Sequence, residues 1–91
     1  MIKGKTKTGF EFELDERIGT DWRIVSNIAL AESDDMSDKV KGASALVSLL
    51  CGNNEKKLMK HIADNNDGFV PMPAVMNELR DMIQGSNELK N

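Results

Sequence analysis

The 91-residue chain has a single cysteine, so it can close no internal disulfide and build no thiolate metal cluster. A reducing compartment is the expected setting. It has one histidine, one tryptophan, no tyrosine and no glycine-rich phosphate loop, a set poor in catalytic groups. No apolar run approaches the roughly 18 residues of a membrane span. The opening Met1-Ile2-Lys3-Gly4-Lys5-Thr6-Lys7 is positively charged with no apolar stretch behind it, so it is not expected to be a signal peptide. A basic excess is missing too: 12 Lys and Arg stand against 15 Asp and Glu, for a net charge of −3. General nucleic-acid binding needs a basic face and is therefore disfavoured.

What is present is enough for one small domain. Leu, Ile, Val and Phe make up 22 of the 91 residues, above the level at which chains stay disordered. A core this size is thin, so a partner or a second copy is expected to cover more surface.

Residues 2–14 read as a β-hairpin. A three-residue loop, Lys7, Thr8 and Gly9, with Gly9 left-handed, sets Lys5 against Glu11, Gly4 against Phe12, Lys3 against Glu13 and Ile2 against Leu14. Ile2, Phe10, Phe12 and Leu14 then share one face and two Lys–Glu pairs the other; a two-residue loop would mix the faces. A lone hairpin is marginal in water, so its apolar face must lie on helices.

Four helices are expected after it. The first runs from about Asp21 to Glu32, capped by Thr20, with Trp22, Val25, Ile28 and Ala29 inward and Ile24 and Ala31 widening the stripe. The second is capped by Ser37 or Asp35, buries Val40, Ala43, Val47 and Leu50 with Leu46 and Leu49 beside them, and ends at Gly52. The third covers about Glu55 to Asp64, capped by Asn53 or Asn54, with Leu58, Met59 and Ile62 inward. The fourth, about Met72 to Gln84, has Pro73 in its first turn and stops at Gly85. The expected class is α+β, mostly α: an N-terminal hairpin packed on about four helices over residues 1–85, with a flexible polar tail at 86–91.

Several constellations invite a functional reading. The segment Asp64-Asn65-Asn66-Asp67-Gly68 has the outline of a calcium-binding EF-hand loop. With Gly68 at the sixth position, Asn65 and Asp67 fill the third and fifth, but Ala63 and Ala74 stand where the essential carboxylates belong. A polar turn is the expected reading. His61, between Lys57 and Lys60 and off the Leu58–Ile62 stripe, is expected at the surface, and Cys51 as a small buried hydrophobe. The acidic run Glu32, Asp34, Asp35 and Asp38 reads as a solvated inter-helix loop. No catalytic residue, cofactor or metal ligand is expected, and the chain is not expected to be an enzyme.

The methionines carry more weight. Met72, Met76 and Met82 share the last helix with Val75, Leu79 and Ile83, a stripe wide for so small a domain. Methionine adapts to irregular partner surfaces. Val75 and Leu79 are expected in the core, and Met72, Met76, Met82, Ile83 and Leu89 are the candidate partner-binding residues.

The string Ile2-Lys3-Gly4-Lys5-Thr6-Lys7-Thr8-Gly9-Phe10-Glu11-Phe12-Glu13 resembles the start of small tail assembly chaperones of long-tailed phages and prophages of Gram-positive bacteria. Asp21-Trp22, Leu49-Leu50-Cys51-Gly52, Asp67-Gly68-Phe69-Val70-Pro71 and Glu88-Leu89-Lys90-Asn91 are similar in order and spacing. The resemblance implies a non-catalytic protein of the bacterial host cytoplasm, absent from the mature virion. It would bind the tape measure protein and help recruit tail tube protein, and the resemblance also implies a longer frameshifted product. Homo-oligomer formation is open, and neither nucleic acid nor membrane is an implied partner. The alternative is a small regulatory or adaptor protein of a mobile element, binding a protein or operator DNA, although the last helix offers only Arg80 as a cation.

Overall fold

The computed structural model describes the backbone of residues 1–90 and the side chains of residues 1–86. Strands β1 (Ile2–Lys5) and β2 (Glu11–Leu14) form an antiparallel hairpin. Four α-helices follow: α1 (Trp22–Ala31), α2 (Met36–Cys51), α3 (Glu55–Asp64) and α4 (Met72–Lys90). Short 3-10 turns at Ile18–Thr20 and Gly52–Asn54 join β2 to α1 and α2 to α3.

The hairpin register is Ile2↔Leu14, Lys3↔Glu13, Gly4↔Phe12 and Lys5↔Glu11. Gly9 closes the turn at φ +94°, a conformation costly for a residue with a Cβ. Thr6 N–H donates to Phe10 O, and Gly9 N–H to Thr6 O, each at 2.9 Å. The alternation then turns Ile2, Phe10, Phe12 and Leu14 into the core and leaves Glu11 and Glu13 exposed.

Asp21, not Thr20, caps α1: its carboxylate accepts from Arg23 N–H at 2.9 Å. Thr20 is spent in the preceding 3-10 turn, where its hydroxyl donates to Arg17 O. Asp35 caps α2 by accepting from Asp38 N–H at 3.0 Å. Asn54 stands at the start of α3 but its side chain makes no capping bond.

The inward face of α1 differs from the expected stripe. Ile24 and Ala31 are buried, Ile28 is half-buried, and Trp22 and Val25 are exposed at 75% and 43%. Apolar residues surround much of this helix, so periodicity alone leaves its rotation open; α2 decides it. A Cβ on Gly42 of α2 would lie 2.5 Å from Ala31 N and 2.6 Å from Asn27 O. The two helices meet backbone to backbone there, with the Asn27–Ala31 side of α1 turned inward. In α2, Ala43, Leu46, Val47 and Leu50 enter the core, Leu49 packs at its edge and Val40 stays exposed.

The last helix does not stop at Gly85. It continues to Lys90, and Ser86 is 1% exposed. Met82, Gly85 and Ser86 fall on one face, and a Cβ on Gly85 would sit 3.4 Å from the Phe12 ring. Gly85 therefore marks where the helix meets the hairpin, and packing against Phe12 carries the helix past a residue that favours stopping. Leu58, Ile62, Leu79 and Met82, the last at 0% exposure, complete the core between hairpin and helices.

Candidate functional site

Two features of the fold stand out. The first is a groove between α4 and the α1–α2 pair. One part encloses about 310 Å3 over Ile28, Leu46, Met76, Leu79 and Ile83. It shares Ala31, Glu32, Met76 and Arg80 with a second part of about 510 Å3, which adds Met36, Lys39, Met72 and Pro73. The α1–α2 pair forms one wall and the Met72–Ile83 face of α4 the other. Of the residues singled out in the sequence, Met72, Met76 and Ile83 meet here, each half-buried. Met82 does not: it is fully buried, one helical step away on the hairpin side, and is a core residue rather than a margin residue. The Leu89 side chain lies outside the described residues. Met36, 62% exposed at the start of α2, extends the groove; the sequence shows the methionine but not that α2 brings it opposite Met72 and Met76.

The second feature is a polar cluster under the hairpin turn. Glu78 is 2% exposed. Its carboxylate accepts from Thr6 Oγ1 at 3.0 Å and from Thr8 Oγ1 at 2.8 Å. Thr8 Oγ1 also lies 2.9 Å from His61 Nε2, which is 3.8 Å from Glu78 Oε1. Asn65 Nδ2 lies 3.2 Å from the same ring nitrogen, and which of these groups donates follows the tautomer of the imidazole. His61 is thus half-buried against the Phe10 ring, centroids 5.5 Å apart, rather than a free surface residue. One turn along α4, Asp81 accepts from Lys7 N–H at 3.1 Å.

A hydroxyl, an imidazole and a carboxylate together invite comparison with a nucleophilic triad. The connectivity is wrong for one. A triad carboxylate orients the far nitrogen of the imidazole; here carboxylate and imidazole converge on the same hydroxyl, which donates to the carboxylate. The cluster acts as a latch, tying the turn to α3 and α4 while satisfying a buried carboxylate. Sequence reasoning passed over Glu78 because the partners that fix it are about 70 residues away.

Arg17 hydrogen-bonds Asp15 through its side chain and backbone and holds that carboxyl well below the usual range; Arg23 lowers Asp21 in the same way. Both pairs are at the surface, where such contacts contribute little stability. Burial, aided by the Glu55 charge, pushes the Cys51 thiol up to about 11. Among the described residues no three His, Cys, Asp or Glu side chains cluster to hold a metal, and no helix is long and apolar enough to cross a membrane. No protein-family model matches the chain, and comparison with curated proteins and with solved structures found no match.

Proposed function

We propose that this chain is a non-catalytic tail assembly chaperone of a long-tailed phage or prophage, whose groove holds a helical segment of the tape measure protein in the bacterial host cytoplasm and helps bring tail tube protein to it. The observation that supports the reading is the groove lined by Met36, Met72, Met76 and Ile83. From Met72 to Ile83 its α4 wall runs about 16 Å, or three turns of a docked helix. An amphipathic helix laid in such a groove needs apolar anchors at i, i+3, i+4 and i+7 and little else. Methionines suit a long client because they repack around different anchors.

Co-expression with the tape measure protein of the same tail gene cluster tests the reading. The wild-type chain is expected to keep the tape measure protein soluble and to co-purify with it. Met72→Glu with Met76→Glu is expected to abolish co-purification while thermal unfolding remains cooperative, because both side chains are half-exposed at the groove. A tape measure protein that stays insoluble beside the folded wild-type chain would remove the proposal.

A further inference from the structure

The groove between α4 and the α1–α2 pair has a charged rim. Three of its lining residues carry charge: Glu32 at the end of α1, Lys39 on α2 and Arg80 on α4. All the others are uncharged. The two cations stand on opposite walls, both in the part lined by Met36, Met72 and Met76. Neither is ion-paired among the described residues. Arg80 Nη1 donates to Asn77 Oδ1 at 3.2 Å, which steadies the guanidinium at the rim. The aspartates nearest in sequence, Asp34, Asp35 and Asp38, do not line the groove, and the Asp35 carboxylate is engaged in capping α2. On a chain whose net charge is −3, this rim sets two cations against one anion.

We propose that the segment seated in the groove is an acidic amphipathic helix, with Asp or Glu bordering its apolar stripe on both sides. The inference rests on the groove being the helix-binding site and adds the charge of its occupant. A helix lying between two walls turns its apolar stripe to the floor and the residues flanking that stripe to the rims. A carboxylate on one flank then meets Arg80, and one on the other flank meets Lys39. Basic flanks would meet like charge on both walls. Charges at a rim act on specificity and encounter rate more than on affinity. The apolar anchors therefore hold the helix, and the two cations select among helices. Glu32 shares a wall with Lys39 and moderates the preference.

The test uses the full chain and three capped, helix-forming peptides of about 18 residues, each with the same leucine stripe, flanked by Glu, Gln or Lys. Fluorescence anisotropy reads affinity, and NMR of the methionine methyls reads location. The Glu peptide is expected to bind about fivefold more tightly than the Gln peptide at low salt, and the Lys peptide most weakly. The advantage should vanish near 1 M salt, where screening acts within about 3 Å. The largest methyl shifts are expected at Met36, Met72 and Met76. Lys39→Gln with Arg80→Gln should erase the difference between the Glu and Gln peptides while leaving the affinity for the Gln peptide unchanged; Glu32→Gln should widen it. Equal binding of the Glu and Gln peptides at the groove methionines would overturn the acidic preference and leave the groove as a helix site. Binding of none of the three by the folded chain would remove the helix site as well. Shifts of the same methyls with protein concentration alone would place a second copy in the groove and overturn the proposal.

Discussion

Cys51 shows how much one side chain's surroundings govern its chemistry. It ends α2, partly buried, and the thiolate is disfavoured first by desolvation and then by Glu55. With the thiol pushed up to about 11 from an ordinary 9.0, the thiolate fraction at pH 8 falls about a hundredfold. Iodoacetamide at pH 8 should therefore alkylate Cys51 in the folded chain roughly a hundred times more slowly than in the urea-unfolded chain. Equal rates, read by intact mass, would mean that the end of α2 opens freely. Glu78 makes the complementary point. Its buried carboxylate has its hydrogen bonds met because Thr6 and Thr8 both donate to it.

Two helical glycines separate at the scale of elements. Alanine normally improves a helix interior over glycine by about 1 kcal/mol. At Gly42 the added carbon would strike backbone atoms of α1, 2.5 and 2.6 Å away. Backbone cannot rotate aside, so overpacking wins and Gly42→Ala should lower stability by about 1–3 kcal/mol. At Gly85 the nearest atom is 3.4 Å away on the Phe12 ring, close to ordinary contact. Gly85→Ala should be neutral or stabilising by up to about 1 kcal/mol. Urea midpoints at constant slope measure both. A harmless Gly42→Ala would mean that α1 and α2 cross at a greater separation.

For the whole molecule, the Cα radius of gyration is 12.5 Å, near the value of about 12 Å for a compact domain of this length. Within that small volume the methionines divide sharply. Met82 is sealed at 0% exposure, Met36 is 62% exposed, and Met72 and Met76 are half-buried along the groove. Mild peroxide should therefore oxidise Met1 and Met36 (69% and 62% exposed) first, Met72 and Met76 next, and Met82 only as the chain unfolds. Peptide mass spectrometry reads the order; early oxidation of Met82 would show that α4 separates from the hairpin in the native state. A groove-bound partner should protect Met36, Met72 and Met76 together.

The sequence by itself determined the features whose cause is local. The hairpin register follows from a period of two, a glycine at the turn and two Lys–Glu pairs that only one loop length brings together. The span of α3 follows from its narrow Leu58–Ile62 stripe; the width of the α4 stripe marks Met72, Met76, Met82 and Ile83 together without separating groove from core. Tertiary structure decided the rest. The rotation of α1 was ambiguous because apolar residues surround it, and the close approach at Gly42 chose Ile24 and Ala31 over Trp22 and Val25. The continuation of α4 past Gly85 depends on a phenyl ring 73 positions earlier in the chain. Met82 became core while Met76 remained at the groove because the hairpin covers one side of α4 and leaves the other facing the α1–α2 pair. His61, polar and off-stripe, was drawn inward by Thr8, a partner 53 residues away. Periodicity reports which face of an element is apolar; only the neighbours that arrive on folding determine which part of that face is covered.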